Sequence, residues 1–324
     1  MLYANEGRAV LKEGLQKGGR GTLWMLKILV PISFFTFLID SSGILGRLDH
    51  WLEPAMGLFH LPPSAALPLI AGLLAGIYGA IAAMGVLDFS LTESILMAVF
   101  LLISHALPQE SLVQARSGMR FFKATLVRLA ASVLVTFLLA RVLSIDSSAV
   151  MPVAENVSAS VSFASLLGVW VWDTAQLCLK ILVIITAMMV LLAWLRAVDL
   201  IPVLARMLNP LLRVLGLNRS VGILWLTAAV FGLSYGAAVI VEETREGHYA
   251  QADIRRLPLS IGINHAMIED PLLFLAMGIP AFWLWGPRLA AAIAVVYLDH
   301  LWCRFRARRP QREAPLPHGD QRAL

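Results

Sequence analysis

Two short stretches of the chain place a histidine shortly before carboxylates in strongly apolar surroundings. The first, residues 103–112, contains His105 and Glu110. The second, residues 263–272, contains four polar candidates: Asn264, His265, Glu269 and Asp270. Ionisable side chains at membrane depth are costly and indicate a functional site by default. We therefore expect the two copies to form two halves of one substrate-binding site.

The residue types in both copies allow several kinds of chemistry. An imidazole titrates near physiological pH, so it can bind a solute by hydrogen bonds, carry a proton or ligate a metal. A structural alternative stays open, in which each histidine bonds a neighbouring backbone group at a helix break. The carboxylates would then cap the following helix, whose N-terminus favours negative charge. The sequence does not identify a metal.

Apolar, glycine-containing stretches supply further candidates. Gly79 and Gly236 are small enough for a helix or a ligand to approach closely, and helix packing is the favoured interpretation. Ser234 and Tyr235 precede Gly236 and add two hydroxyl groups that a solute could reach. We include these four residues in the predicted binding site.

The composition predicts an integral membrane protein whose first partner is the lipid bilayer. Hydrophobic residues make up 59% of the chain and charged residues only 15%, against roughly 25% charged in ordinary soluble domains. The mean hydropathy is +0.76. The net charge of +5 does not indicate a nucleic-acid ligand, because the basic residues cluster in loops and near the C-terminus. Orientation in the membrane explains such clusters.

Six stretches approach the roughly 20 apolar residues that span a bilayer. They are residues 22–40, 65–84, 122–143, 172–195, 220–241 and 287–303. Two further apolar stretches, 91–107 and 257–286, carry the histidine motifs and are interrupted by prolines, which break or kink helices. We expect both to be re-entrant hairpins or broken helices, because irregular backbone at membrane depth must line protein or a cavity.

The distribution of Lys and Arg predicts the topology. No basic residue occurs between Val142 and Leu179, whereas the 196–219 loop and the tail are strongly basic. Basic loops stay on the cytoplasmic side, so we expect both termini in the cytoplasm of a cell with the protein in its inner (plasma) membrane. The loop 242–256 is an exception, because this topology places it outside although it contains Arg245, Arg255 and Arg256.

Matching segments indicate an internal repeat. Leu26–Val30 corresponds to Leu179–Val183, and Tyr78–Ala80 corresponds to Tyr235–Ala237. Because three crossings per half is an odd number, the halves would be inverted, as in many secondary transporters. The predicted fold is all-α, with two inverted-topology repeats of about three spanning helices plus a re-entrant or broken helix pair. The predicted segments are 1–21 (cytoplasmic), 22–143 (first repeat), 144–171 (extracytoplasmic linker), 172–303 (second repeat) and 304–324 (basic disordered tail).

The glycine-containing helices and the stretch from Asn264 to Asp270 resemble the Gate, or nucleoside recognition, membrane family. That family includes spore maturation proteins, and it is similar to the membrane domain of ferrous-iron transporters and to concentrative nucleoside transporters. The resemblance covers most of residues 22–303 and is closer in the second copy, because the first has Ser104 for Asn264 and Gln109-Glu110 for Glu269-Asp270. It implies a membrane permease and does not fix the substrate.

Taken together, these features predict a secondary transporter of a small polar solute, with nucleoside-like solutes among the candidates, that is coupled to an ion or a proton. Its substrate, a small molecule or an ion, would bind near the bilayer midplane. A metal-cation permease and a non-transporting membrane assembly module are the alternatives, and the sequence leaves homo-oligomerisation open. The chain contains no G-x-x-x-x-G-K-[ST] or H-E-x-x-H motif. We therefore expect neither an enzyme nor a cofactor.

Overall fold

A computed structural model describes residues 2–143, 162–233, 240 and 249–307, and these residues form helices and connecting turns without a strand. The first half contains α1 (Leu2–Ser41), α2 (Ile44–Gly57), α3 (Ala66–Ala75), α4 (Ile77–Met84), α5 (Leu91–Ser104), α6 (Leu107–Arg116) and α7 (Phe121–Leu143). The second half contains α8 (Phe163–Ala197), α9 (Ile201–Met207), α10 (Asn209–Val214), α11 (Gly222–Phe231), α12 (Gln251–Ile263), α13 (Glu269–Leu275) and α14 (Ala281–Ala307). Single 3-10 turns precede α3 and α11.

Among the described residues, five helical stretches are long and apolar enough to cross a membrane. They are Gly7–Ser41, Leu91–Arg116, Phe121–Leu143, Phe163–Ala197 and Ala281–Arg306. Four of them contain predicted spans, and the prediction of an all-α multi-pass membrane protein is confirmed. Large apolar side chains such as Phe122 and Trp172 face outward, as a surface in contact with lipid requires.

The prediction of a continuous span over residues 65–84 is wrong, because this stretch is a helical hairpin. Helix α3 ends at Gly76, whose φ of 91° belongs to the left-handed region that glycine tolerates. Helix α4 then folds back along α3. The two helices are so close that a Cβ built on Gly72 would lie 2.9 Å from the Cβ of Ala80. The small residues of this stretch therefore permit the hairpin.

The hairpin prediction for residues 91–107 is also wrong, and the broken-helix alternative describes this stretch. Helices α5 and α6 do not pack along each other, and together they form one interrupted membrane-length element from Leu91 to Arg116. Helices α12 and α13 show the same arrangement in the second half, without packing along each other. The prolines mark the interruptions, but they do not reverse the chain.

The predicted span over residues 220–241 is interrupted as well. Helix α11 ends at Gly232, which has a φ of 82° and so corresponds to Gly76 of the first hairpin. Residues 234–239 and 241–248 lie outside the described residues, so the rest of this predicted span does too.

Three predicted segment boundaries also differ from the structure. Helix α1 begins at Leu2 and includes most of the segment predicted as a separate polar N-terminus. Helix α8 begins at Phe163, so part of the predicted 144–171 linker is helical. Helix α14 continues to Ala307, into the predicted disordered tail. The remainder of the linker, 144–161, and of the tail, 308–324, lies outside the described residues.

Helices α1 and α8 form a long antiparallel pair, with glycines on the contact face. A Cβ on Gly14 would lie 2.5 Å from the Cα of Val190, and one on Gly18 would lie 2.7 Å from the Cα of Thr186. Small residues allow such close approach of helices in membranes. Helix α5 lies at the centre of the remaining helices, since it packs on α3, α7 and α14 and is buried from Ile95 to Ser104. The first histidine follows directly on this buried helix.

Candidate functional site

The break between α5 and α6 positions the first histidine. Helix α5 begins with a capping box, in which Ser90 and Glu93 satisfy each other's backbone N–H groups, and ends at Ser104. His105 is extended, and Ala106 adopts a left-handed conformation with a φ of 46°. The N–H of Ala106 donates to the carbonyl of Gly72 at 2.9 Å. The first hairpin therefore holds the break open by satisfying a freed backbone group.

The break between α12 and α13 repeats this local structure. Ala266 has a φ of 44°, and its N–H donates to the carbonyl of Ala228 in α11 at 3.2 Å. The two alanines also lie against the glycines that end α3 and α11, since a Cβ on Gly232 would lie 3.9 Å from the Cβ of Ala266. Each half therefore places its histidine with the same helix-break geometry.

Both histidine rings are fixed in the same tautomer. The Nδ1 of His105 lies 2.9 Å from the carbonyl oxygen of Leu101, and the Nδ1 of His265 lies 2.9 Å from that of Ile261. A carbonyl oxygen only accepts hydrogen bonds, so each Nδ1 carries the hydrogen. In the neutral rings each Nε2 therefore presents a lone pair. Each of these lone pairs is available to a proton or a cation.

The two halves bring these lone pairs and carboxylates together. The ring centroids of His105 and His265 are 5.1 Å apart. The Oε1 of Glu110 lies 3.0 Å from the Nε2 of His265 and 3.4 Å from that of His105, whose Nε2 is also 3.5 Å from the Oδ2 of Asp270. A neutral imidazole lone pair and an ionised carboxylate are both acceptors. A close pair of them requires a shared proton or cation.

Two buried arginines, which are not among the residues predicted from the sequence, bind backbone carbonyl groups at the two helix breaks. The Nε of Arg128 donates to the carbonyl of Ile103 at 3.0 Å, and its Nη2 donates to that of His105 at 2.8 Å. Arg288 donates in the same way to Ile263 and His265, and each arginine follows its histidine by 23 residues. This shared spacing, with a charge inside an apolar span, was the signal that could have identified them.

Arg128 also forms an ion pair with Glu110. Its Nη2 is 2.5 Å from the Oε2 of Glu110, without the alignment of a regular hydrogen bond. Both side chains are nearly inaccessible to solvent, with exposed fractions of 1% and 13%. The arginine therefore fixes the position of the carboxylate between the histidines and supplies a buried positive charge beside it.

Several polar atoms at the site have no hydrogen-bond partner among the described residues. Asn264 is fully buried, and both its Oδ1 and its Nδ2 are unpartnered. The Nη1 atoms of Arg128 and Arg288 are unpartnered as well. Ser104 occupies the position of Asn264 in the first copy, but its hydroxyl is satisfied by the carbonyl of Phe100. Buried polar groups without partners are rare, and they leave Asn264 able to bind a ligand from the second half.

Glu269 is turned away from the histidines towards the first hairpin. The hydroxyl of Tyr78 in α4 donates to its Oε1 at 2.5 Å. Both residues are half-buried, whereas His105, His265 and Asp270 are buried. This bond therefore joins the hairpin of one half to the broken helix of the other at the edge of the buried cluster.

The remaining predicted site residues are not part of the cluster. Gly79 lies in the packing contact of α4, because its Cβ would lie 2.9 Å from Ile32 and 3.1 Å from the Cβ of Ala75. Ser234, Tyr235 and Gly236 lie outside the described residues. The structure thus brings together His105, Glu110, His265 and Asp270, with Asn264 and Glu269 directly beside them.

The cluster also contains the donor set of a possible cation site. One ligand atom each of His105, His265 and Asp270 lies within 4.8 Å of the others. Imidazole and carboxylate suit first-row divalent cations better than they suit Cu(I), which prefers sulfur. Arg128, which pairs with the adjacent Glu110, would oppose a divalent ion by its charge.

Comparison with known proteins finds a family model that resembles part of the first half of the chain. Residues 22–115 match the Gate family, described as nucleoside recognition. Over these residues the chain is similar to a Gate domain. The match includes the hairpin and the first broken helix with its histidine, and it is shorter than the 22–303 expected from the sequence. The resemblance to the Gate family is confirmed, although the matched stretch is the first copy of the motif.

A distant homologue is similar to nearly the whole chain. It is 25% identical over 310 residues, which are 95% of this chain and 99% of the relative, to a Bacillus subtilis (strain 168) protein named "Uncharacterized membrane protein YvoD". The near-complete coverage of both chains indicates a similar overall organisation. No solved structure matches the chain significantly.

Proposed function

We propose that this protein is a secondary transporter that couples the passage of a small polar solute to a proton. The observation that carries the proposal is the close approach of Glu110 to the histidine lone pairs of both halves. These groups accommodate each other when a proton or a cation lies between them. Because they come from two halves of the chain, a relative movement of the halves would change their proton affinity.

The duplicated breaks support an inverted repeat as the framework of transport. Each half contributes a glycine-ended helix, a broken helix with its histidine and a spanning helix with its arginine. Discontinuous helices near the midplane, at the interface of two repeats, are typical of substrate and ion sites in secondary transporters. The family description and the unpartnered amide of Asn264 support a solute with hydrogen-bonding groups, such as a nucleoside.

The corrected hairpin supports a cytoplasmic location of both termini. With 66–84 as a hairpin and 91–116 as a span, the first half crosses the membrane three times, and a second half that repeats this arrangement, with its hairpin around Gly232, does the same. The loop 242–256 then moves to the side of the other basic loops, so the exception in the sequence-based topology disappears. The basic segments that share this side are 116–123, 196–219, 242–256 and 304–312. Such a concentration marks the cytoplasmic side.

Contacts between distant segments support the same arrangement. Asp299 near the end of α14 pairs with Arg255 at 3.1 Å and approaches Lys123 at 3.9 Å, so the starts of α12 and α7 share its side. Asp40 at the end of α1 interacts electrostatically with Asp88 in the loop after the hairpin. The hairpin therefore enters and leaves on the side where α1 ends, which is the extracytoplasmic side in this proposal.

Uptake into proteoliposomes tests the proposal. Purified protein is reconstituted, and a panel of radiolabelled nucleosides is offered with and without an imposed inward proton gradient. We expect at least one nucleoside to accumulate above protein-free vesicles, and the gradient to increase the accumulation. A panel without uptake under either condition would favour the membrane assembly module considered above.

A metal-cation permease is the second candidate, because His105, His265 and Asp270 present ligand atoms within 4.8 Å of one another. Equilibrium dialysis with Zn²⁺, followed by elemental analysis, tests it. A bound ion that is lost in His105→Ala and His265→Ala would support this candidate. Binding that is unchanged in both variants would place the ion elsewhere.

A further inference from the structure

A polar stripe follows one face of α8, apart from the histidine cluster. Asp173, Gln176 and Lys180 are spaced by three and four residues and therefore lie on the same helix face. The rest of α8 is strongly apolar, and its whole length is a candidate membrane span. Polar and ionisable residues on one face of such a helix indicate a water-filled cavity or a ligand path.

This stripe lines a half-open cavity of about 260 Å³. Ser33 of α1 and Gly85 after the first hairpin form two of its walls, and Leu273 and Met277 in and after α13 form another. Leu177 and Ile181 of α8 add apolar side chains to the lining. The cavity is therefore bounded by the α1–α8 pair, the first hairpin and the helix that begins with Glu269 and Asp270.

The charges of the stripe are not neutralised by any residue that the structure describes. Asp173, Gln176 and Lys180 have no hydrogen-bond or ion-pair partner in the described part of the chain, and all three are exposed to the cavity or its mouth. Lys180 is the central residue of α8, with about 25 Å of helix on either side of it. Lys180 is therefore far from a helix end, where a lysine usually extends its ammonium group to the membrane surface.

The positions of the two charges define the ligand that would neutralise them. The Cα atoms of residues seven positions apart are separated by about 10 Å along a helix axis. Side chains lean towards the helix N-terminus, so the ammonium group of Lys180 approaches the level of Asp173 and leaves a gap of a few ångström. A zwitterion can fill this gap with its amino group beside Asp173 and its anionic group beside Lys180.

We propose that this cavity binds a small zwitterionic molecule of amino-acid size. Its volume lies just below the roughly 300–1,000 Å³ of ordinary ligand pockets, which suits a compact ligand. The inference goes beyond the proposed function, because it assigns a ligand to a second place and does not require the histidine cluster to bind anything. The same pair of charges occurs in a zwitterionic lipid headgroup, so the test must separate the two sources.

Binding to the purified full-length protein tests the inference through a set of matched probes. γ-Aminobutyrate carries both charges, butyrate carries the anion alone and butylamine carries the cation alone. Nanodiscs of anionic lipid hold the protein, and the thermal unfolding midpoint and equilibrium dialysis report binding. We expect γ-aminobutyrate to bind at least ten-fold more tightly than either single-charge probe. Equal binding of the three probes, or no binding of γ-aminobutyrate, would overturn the inference.

Variants locate the binding. Asp173→Asn and Lys180→Gln should each weaken the binding of γ-aminobutyrate at least ten-fold. Lys27→Gln is the matched control, since Lys27 is also an exposed lysine within a spanning helix but does not line the cavity. Equal losses in Lys27→Gln and Lys180→Gln would overturn the inference. The unliganded unfolding midpoint of each variant shows whether it is folded.

Two further measurements separate a free solute from a lipid headgroup and this cavity from the histidine cluster. Nanodiscs that contain phosphatidylethanolamine should leave γ-aminobutyrate binding unchanged if the ligand is a free solute, whereas complete competition by this lipid would overturn the free-solute assignment. His265→Ala should also retain γ-aminobutyrate binding. Because nucleoside uptake is measured separately, a failure of either proposal leaves the other standing.

Discussion

The Nε2 of His265 lies 3.0 Å from the Oε1 of Glu110, although the two residues belong to different halves of the chain. This contact joins the broken helix of the second half to the half-helix that follows the break in the first. Arg128 holds the same carboxylate from the other side at 2.5 Å. A single side chain, Glu110, therefore connects both histidines to a buried positive charge.

The first prediction concerns His265. Its ring is buried with an exposed fraction of 1% and faces the cluster through Nε2. We expect His265→Ala to reduce solute uptake in proteoliposomes at least ten-fold, because the shared proton site is lost. His300→Ala is the control, since His300 contacts the carbonyl of Gly216 at the opposite end of α14 from the site. A folded His265→Ala protein with full uptake would contradict the prediction and leave His265 a structural residue.

The second prediction concerns the bond between Tyr78 and Glu269. If this bond couples the first hairpin to the second broken helix, Tyr78→Phe and Glu269→Gln should each reduce uptake strongly, and the double variant should lose little more than either single one. Interaction energies between contacting residues make such effects non-additive. Uptake rates of the three variants test this prediction, once each variant has been shown to be folded. Fully additive losses would show that the two residues act independently.

The sequence predicted the polar centre better than it predicted the helices around it. Histidines and carboxylates are conspicuous in an apolar sequence. The high free-energy cost of burying a charge was a sufficient reason to predict them as site residues. Residues 65–84 and 91–107 are both apolar and about equally long, so hydropathy could not decide which of them reverses direction. The decision depends on Gly76 and on contacts such as that of Gly72 with Ala80, which are visible only in three dimensions.

Asp270 shows a second limit of the sequence reasoning. Glu269 and Asp270 were equivalent candidates, and both follow His265 within one or two turns. The structure directs Asp270 to His105 and Glu269 to Tyr78. Adjacent helical residues point in directions about 100° apart, and the rotation of α13 about its axis is set by packing that the sequence does not display.

The third prediction concerns the arginine that holds the first break. Arg128→Gln removes the donors to the carbonyls of Ile103 and His105 and leaves Glu110 buried without its ion-pair partner. Breaking a buried ion pair by removing one partner costs roughly 3–5 kcal/mol. We expect a marked fall in the thermal unfolding midpoint of the purified protein.

Arg141→Gln is the matched control for Arg128. Arg141 lies on the same helix, is exposed and stacks on the ring of Phe137. Its replacement should change the unfolding midpoint far less than Arg128→Gln does. Comparable shifts in the two variants would show that the carbonyl and carboxylate contacts of Arg128 do not stabilise the fold.

The last prediction concerns the topology that follows from the corrected hairpin. A continuous span over 220–241 places Ala250 outside the cell, whereas a hairpin there, repeating the one at 66–84, places it in the cytoplasm. Ala250 is exposed, and Trp51 of α2 is exposed on the side where α1 ends. Single cysteines at these two positions, in a protein whose Cys178 and Cys303 are replaced by serine, distinguish the arrangements.

We expect a membrane-impermeant maleimide applied to intact cells to label Trp51→Cys, and to label Ala250→Cys only after the membrane is permeabilised. The physical reason is that Arg255 beside Ala250 pairs with Asp299, at the basic end of α14, and basic segments are retained in the cytoplasm. Labelling of Ala250→Cys in intact cells would contradict a hairpin at 220–241 and favour the continuous span that the sequence predicts there.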